Sequence, residues 1–291
     1  VPALRRRIAA DRAAGKEPFL VVATAGSVDA GAFDPLGALA DLCREEGLWL
    51  HVDGAFGALA ILSPAHAHLV AGIERADSLA FDAHKWLQAP YAVGCVLFRD
   101  EGVHRAAFSS APDYLARTEG GTAAGAPWFA DYGLELSREF RALKVWFTLR
   151  HYGIERLGAA IGRTCELAAL LAERITAAPE LELLAPVALN VVCFRVHPAG
   201  MEDEAELERL NDAIAVTIQE SGEAVPSTTR IGRIRALRIC IINHRTREDD
   251  LDVLLAAVGR AAAEQLASAS PAGRSDTLGL HEMPPSGGET G

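Results

Sequence analysis

The chain has 291 residues and a mass of 30.9 kDa, half of them hydrophobic and 23% charged. That composition excludes chain-wide disorder, which requires a shortage of apolar residues to bury. Lys and Arg number 28 against 39 Asp and Glu, a net charge of −11, which argues against nonspecific binding to nucleic acid or an anionic membrane. The start, VPALRRRIAADRAAGK, carries basic residues with no apolar run behind them, so it does not read as a signal peptide. Val1 in place of Met is what a truncated N-terminus or an unusual start would leave. From Pro18 to Arg99 strands and helices alternate. Phe19–Thr24 is a continuous apolar run, expected to be a strand buried on both faces. A loop over 26–35 follows, then Leu36, Leu39, Ala40, Leu42 and Cys43 at helical spacing, with Gly47 as the stop. Leu48–Val52 is the next strand, with Asp53 at its carboxyl end, and 78–81 and 93–98 are two more.

This alternation predicts a mostly parallel α/β sheet, whose ligands bind beyond the carboxyl ends of the strands. Asp53 and the His84–Lys85 pair fall near that edge. From about Arg138 a long helix runs to Gly153 and a second covers 154–177. A strand at 191–196, a helix at 204–221, a strand at 237–242 and a helix at 247–266 complete an α+β run. The expected division is a large domain over 1–148, a small domain over 149–266, and a disordered Ser-, Gly- and Pro-rich tail over 267–291. No stretch of about 18 apolar residues is present to span a bilayer. The cysteines at 43, 95, 165, 193 and 240 are odd in number and include no C-x-x-C. A disulfide framework or thiolate zinc site is therefore not expected, and a cytoplasmic location is.

Lys85 stands in Asp82-Ala-His-Lys-Trp86, just after an apolar strand. Apolar packing disfavours an ammonium and makes the amine a better nucleophile for a carbonyl, including the aldehyde of pyridoxal phosphate. The plainer alternative is a lysine reaching out of a sheet edge into solvent. Asp53, in His51-Val-Asp-Gly-Ala55, ends a strand and is followed by small residues. Its carboxylate would suit a protonated pyridine nitrogen, or it could cap the next turn. His51 shares its sheet face. His84 could contact a cofactor or be a satisfied structural histidine, and Trp86 reads as packing. His66 and His68 lack a third ligand at metal spacing, so no metal site is expected. Dinucleotide, Walker A and G-x-S-x-G signatures are absent.

Taken together, Val22–Ser27, Gly31–Pro35, Leu50–Asp53, Ala76–Ser78, His84–Trp86, Pro112–Leu115 and Phe140–Trp146 resemble the pyridoxal-phosphate-dependent group II amino-acid decarboxylases, the aromatic-L-amino-acid decarboxylase family. The segments keep the family's order, with 85 − 53 = 32 positions from Asp53 to Lys85. The resemblance covers about residues 18–260 and implies the aspartate-aminotransferase-like fold (fold type I): part of a large domain plus a small C-terminal α+β domain. It implies that pyridoxal 5′-phosphate is held as a Schiff base on Lys85, with Asp53 on the pyridine nitrogen and Ala55 leaving room for the ring. His84 falls near the phosphate, and Thr24, Ser27 and His51 lie beside the cofactor. Tyr114 matches a loop tyrosine implicated in protonating the substrate carbon after CO₂ leaves. Its loop, Ser109–Trp128, holds five Gly or Pro residues, which suits a closing lid.

Family members are longer at the N-terminus, where they carry a phosphate cradle and a histidine stacked on the ring. Val28 stands where many carry threonine, and Asp82 where some carry asparagine. The implied activity is decarboxylation of an L-amino acid, aromatic by analogy, by a homodimeric carboxy-lyase. The alternatives are another fold-type-I lyase or aldehyde synthase, or an inactive fragment lacking the N-terminal half-site.

Overall fold

The computed structural model describes residues 1–109, 120–121, 124–125 and 127–269. Its first sheet has the order β1 (Leu20–Thr24), β2 (Trp49–Asp53), β3 (Ser78–Asp82), β4 (Gly94–Phe98). The first three strands are parallel and β4 is antiparallel to β3. The segment joining β3 to β4 is too short to carry a crossover helix, so β4 must return in the opposite direction. Between β1 and β2 the crossover is α2 (Leu36–Glu46), which buries Leu36, Leu39, Ala40, Leu42 and Cys43 and stops at Gly47 in the left-handed region, φ +66°. Three short 3₁₀ turns, Ala58–Leu62, Ala67–Val70 and Ile73–Arg75, connect β2 to β3.

β1 is not buried on both faces. Val21 and Ala23 point into the core, whereas Leu20 and Val22 are exposed, the latter by 55%. Helix α2 packs against one side of the strand, so side-chain alternation sends every second residue outward. α1 (Pro2–Ala13) precedes the sheet, sinks Ile8 into the core and binds α2 through Arg5 to Glu45 (2.6 Å) and Arg12 to Glu46. α3 (Glu101–Phe108) follows β4, its first turn capped by Asp100 accepting from the Val103 N–H at 2.9 Å.

α4 (Arg141–Ala177) is two helical segments that meet at Gly153, whose φ 74° and ψ 157° are not helical. It leads to an antiparallel sheet of order β5-β6-β8-β7, built from β5 (Leu181–Leu183), β6 (Val191–Val196), β7 (Ser227–Ile231) and β8 (Ile234–Cys240). The sequence reading found β6, missed β5 and β7, and placed β8 too late, over 237–242. β7 and β8 form a hairpin through Gly232, φ +63°, and Arg233, a two-residue turn of the kind that suits strand twist. α5 (Glu204–Ser221) and α6 (Glu248–Ala269) help close the second core around Leu171, Ile175, Phe194, Ile214 and Leu237, all essentially inaccessible. α6 continues to Ala269 rather than ending at 266, and residues 270–291 lie outside the described residues. Every residue of β6 is buried, including Arg195, whose guanidinium is neutralised by Glu182 at 2.6 Å and Glu204 at 2.8 Å. Buried charge is tolerated only when paired in this way.

Candidate active site

The carboxyl ends of β1, β2 and β3 form one row, in which Thr24 pairs with Asp53 and Asp53 with Ala80. Asp53 lies on the outward face of β2, exposed, and its Oδ1 accepts from the Ala55 N–H at 3.1 Å. It makes no ion pair among the described residues, so the carboxylate is free to take a cation. The turn after it is forced to be small. A Cβ at Gly54 would lie 2.5 Å from the Ala58 Cβ, and one at Gly57 would lie 2.6 Å from the Ala25 carbonyl oxygen. That close approach is where the loop after β1 crosses the turn after β2, and the Gly57 N–H donates to Ala25 O at 2.9 Å.

The loop after β1 is held by its own polar groups. Asp34 Oδ2 accepts from the Thr24 N–H at 2.7 Å, and the Asp34 N–H returns a bond to Thr24 O at 2.9 Å. The Ser27 hydroxyl accepts from the Ala32 N–H at 3.1 Å, so it shapes the loop. His51 is tied one register below Asp53, its Nδ1 2.8 Å from Ser78 Oγ, which also accepts from Trp49 Nε1. In the segment after β3, His84 Nδ1 lies 2.8 Å from Val93 O and 3.0 Å from Val93 N, and so ties the ends of this segment together in either tautomer. Trp86 is buried and stacked on Phe56, with centroids 5.1 Å apart. The Lys85 ammonium, partly exposed, is 2.8 Å from Asp82 Oδ2. Asp82 therefore points at the amine. Tyr114 lies outside the described residues.

The second sheet clamps both loops, a feature the sequence reading did not find. Arg238 Nε donates to Val28 O at 2.8 Å, the Thr229 hydroxyl donates to Asp29 Oδ1, and the Cys193 thiol lies 3.1 Å from Asp29 O. On the other side, Gln88 Nε2 donates to Ile242 O at 3.1 Å. Burial raises the Cys240 thiol's pKa, and the positive charges of Arg238 and, to a lesser extent, Lys85 offset part of that rise. The Gln88 bond thus brings the segment just past β8 against the loop that carries Lys85. Only the pattern LRICII could have flagged that edge in the sequence, and nothing local in it names a partner more than 150 residues away.

A mostly parallel sheet with a carboxylate and an amine at neighbouring strand ends, braced by a second α+β unit, matches the architecture of the fold-type-I pyridoxal-phosphate proteins. The structure of Oryza sativa TDC with PLP and tryptamine superimposes with a TM-score of 0.84 at 27% identity, over 91% of this chain and 55% of that one. The model of the pyridoxal-dependent decarboxylase conserved domain matches residues 1–197, and the chain belongs to that family. An aromatic-L-amino-acid decarboxylase of Bacillus atrophaeus is 38% identical over 271 residues, 93% of this chain and 56% of its own length. Rhodiola rosea 4-hydroxyphenylacetaldehyde synthase superimposes with a TM-score of 0.77 at 29% identity, over 90% of this chain and 53% of that one. The chain spans about half the length of the relatives it matches.

The family's cofactor is pyridoxal 5′-phosphate, and the residues present fit it. The uncommitted Asp53 carboxylate offers the negative charge a pyridinium needs, and Lys85 offers a primary amine whose one ion-pair partner among the described residues, Asp82, can release it. No helix among the described residues is long and apolar enough to cross a membrane.

Proposed function

We propose that this chain supplies Lys85 and Asp53 to a pyridoxal-phosphate-dependent carboxy-lyase that converts an aromatic L-amino acid to its amine and CO₂. The observation that carries the reading is the row of strand ends that puts an unpaired carboxylate on β2 and an ion-paired amine just after β3. The bound cofactor supplies a conjugated ring able to accept the electron pair left by a departing carboxylate. Asp53 would hold the proton on the ring nitrogen, keeping that ring electron-poor. Lys85 would hold the aldehyde carbon, and Asp82 would orient its amine. Thr24, Ala55 and the 26–31 loop would border the ring, with Ser27 and His84 bracing their loops. Tyr114 is assigned the proton donor to the substrate carbon by resemblance to the family. The aromatic preference rests on the names of the relatives, among them the tryptophan decarboxylases of Camptotheca acuminata.

The same reading includes the division into units at 148/149, a cytoplasmic location and a homodimer. Five free cysteines support a reducing compartment. The exposed Phe140, Trp146, Phe147 and Ile154 support a subunit contact. A second chemistry, in which dioxygen and water convert the amino acid to an aldehyde, CO₂, ammonia and hydrogen peroxide, is favoured by the likeness to the Rhodiola enzyme. The test is to incubate the chain with pyridoxal phosphate, reduce with borohydride, map the adduct by mass spectrometry, and analyse products from tyrosine, dopa and tryptophan. Amine with CO₂ supports decarboxylation, aldehyde with ammonia supports the second chemistry, and an adduct that spares Lys85 overturns both.

A further inference from the structure

We propose that Gln88 is a positioning residue for Lys85, locking the lysine's loop to the segment just past β8; the inference deepens the cofactor reading above and rests on it. Gln88 has φ +58°, and no other non-glycine residue among those described has a positive φ. A side chain other than Gly, Asn or Asp rarely takes that conformation unless the surroundings hold it there. Packing does not hold it, because Gln88 is exposed while Ala83, Trp86, Leu87 and Ala89 around it are buried. The main-chain N–H of Gln88 closes the turn onto Lys85 O at 3.2 Å, and the side-chain amide adds the tie that leaves the turn. Nε2 has two N–H groups and faces two carbonyl oxygens, Lys85 O at 3.4 Å and Ile242 O at 3.1 Å. Both partners are acceptors, so the nitrogen must occupy this position.

The carbonyl at 242 belongs to a fixed frame. Neighbouring Ile241 is gripped by Asn190, fully buried, whose Nδ2 donates to Ile241 O at 2.7 Å and whose main-chain carbonyl accepts the Ile241 N–H at 2.9 Å. One uncharged side chain therefore joins the main chain of Lys85 to the segment just past β8, whose Ile242 lies 154 positions after Gln88. The position of the lysine relative to the second sheet follows from that bond.

Two variants of the full chain test this. Gln88→Gly accepts the backbone conformation and removes the amide. Gln88→Glu keeps the size and turns an oxygen toward two oxygens. Each is expected to slow borohydride-trapped labelling of Lys85 by pyridoxal phosphate by about two- to tenfold, the range one uncharged hydrogen bond represents. Each is also expected to raise amide hydrogen exchange in 85–89 and 241–244 together. A residue serving only its own turn would raise exchange in 85–89 alone, and that result, or labelling at the parent rate in both variants, overturns the proposal. If the parent chain is not labelled at Lys85 at all, the cofactor reading fails, and the coupled exchange still decides whether Gln88 is the tie.

Discussion

Two helical glycines respond to the same substitution with opposite signs. Gly158 is buried in α4, and a Cβ built on it would lie 2.0 Å from Leu62 O and 2.8 Å from Leu62 C, both backbone atoms of the 3₁₀ turn Ala58–Leu62. Helix propensity alone favours alanine there by about 0.5–1 kcal/mol. The contact must open by more than about an ångström to become ordinary, and overpacking of this kind costs about 1–3 kcal/mol. Neither surface has a flexible side chain to swing away, so the cost falls toward the upper end. Gly158→Ala is therefore expected to destabilise by about 1–2 kcal/mol, a fall of about 2–8 °C in melting temperature. Gly259 in α6 is exposed, with nothing within 4 Å of its built Cβ. Gly259→Ala is expected to stabilise by about 0.5–1 kcal/mol. Thermal melts of both variants beside the parent settle it. A Gly158→Ala protein melting at or above the parent would refute the claim that backbone contact outweighs propensity.

Other expected outcomes concern the site and the second core. Lys85→Ala abolishes the borohydride-trapped adduct at position 85, and Asp53→Asn lowers amine formation by about ten- to a hundredfold, the worth of a charge-assisted hydrogen bond; full activity in Asp53→Asn would remove the carboxylate from its role. Phe194→Ala, emptying a fully buried site, costs about 3–5 kcal/mol by urea denaturation, and a loss below 1 kcal/mol would mean the core around it collapses freely. Burial pushes the Cys165 thiol up to about 12 and the Cys193 thiol up to about 11 from an ordinary 9.0. Above pH 9 the unfolded chain gives up these protons while the folded one keeps them, so stability falls as pH rises from 9 toward 11. Urea midpoints measured across that window should fall more steeply for the parent than for a Cys165→Ala, Cys193→Ala double variant, and equal slopes would contradict the assignment.

The sequence by itself determined what depends on neighbours along the chain. Leu36, Leu39, Ala40, Leu42 and Cys43 at helical spacing with Gly47 behind them specify α2, and the apolar run ending in Asp53 specifies β2 and the carboxylate's place at its tip. Lys85 and Asp53 were legible as candidates because each stands in a short segment of fixed order, at or just after a strand end. Tertiary structure decided the rest. Whether Val22 is buried depends on what packs over it, and the apolar run looks the same either way. β5 and β7 carry mixed residues that become strands through pairing with β6 and β8. The grip of Arg238 on Val28, of Gln88 on Ile242, and of Asp82 on the Lys85 amine are matters of distance in the folded chain. Periodicity records a residue's own face and span, whereas a hydrogen bond between segments 154 or 210 positions apart exists only once two sheets have been brought together.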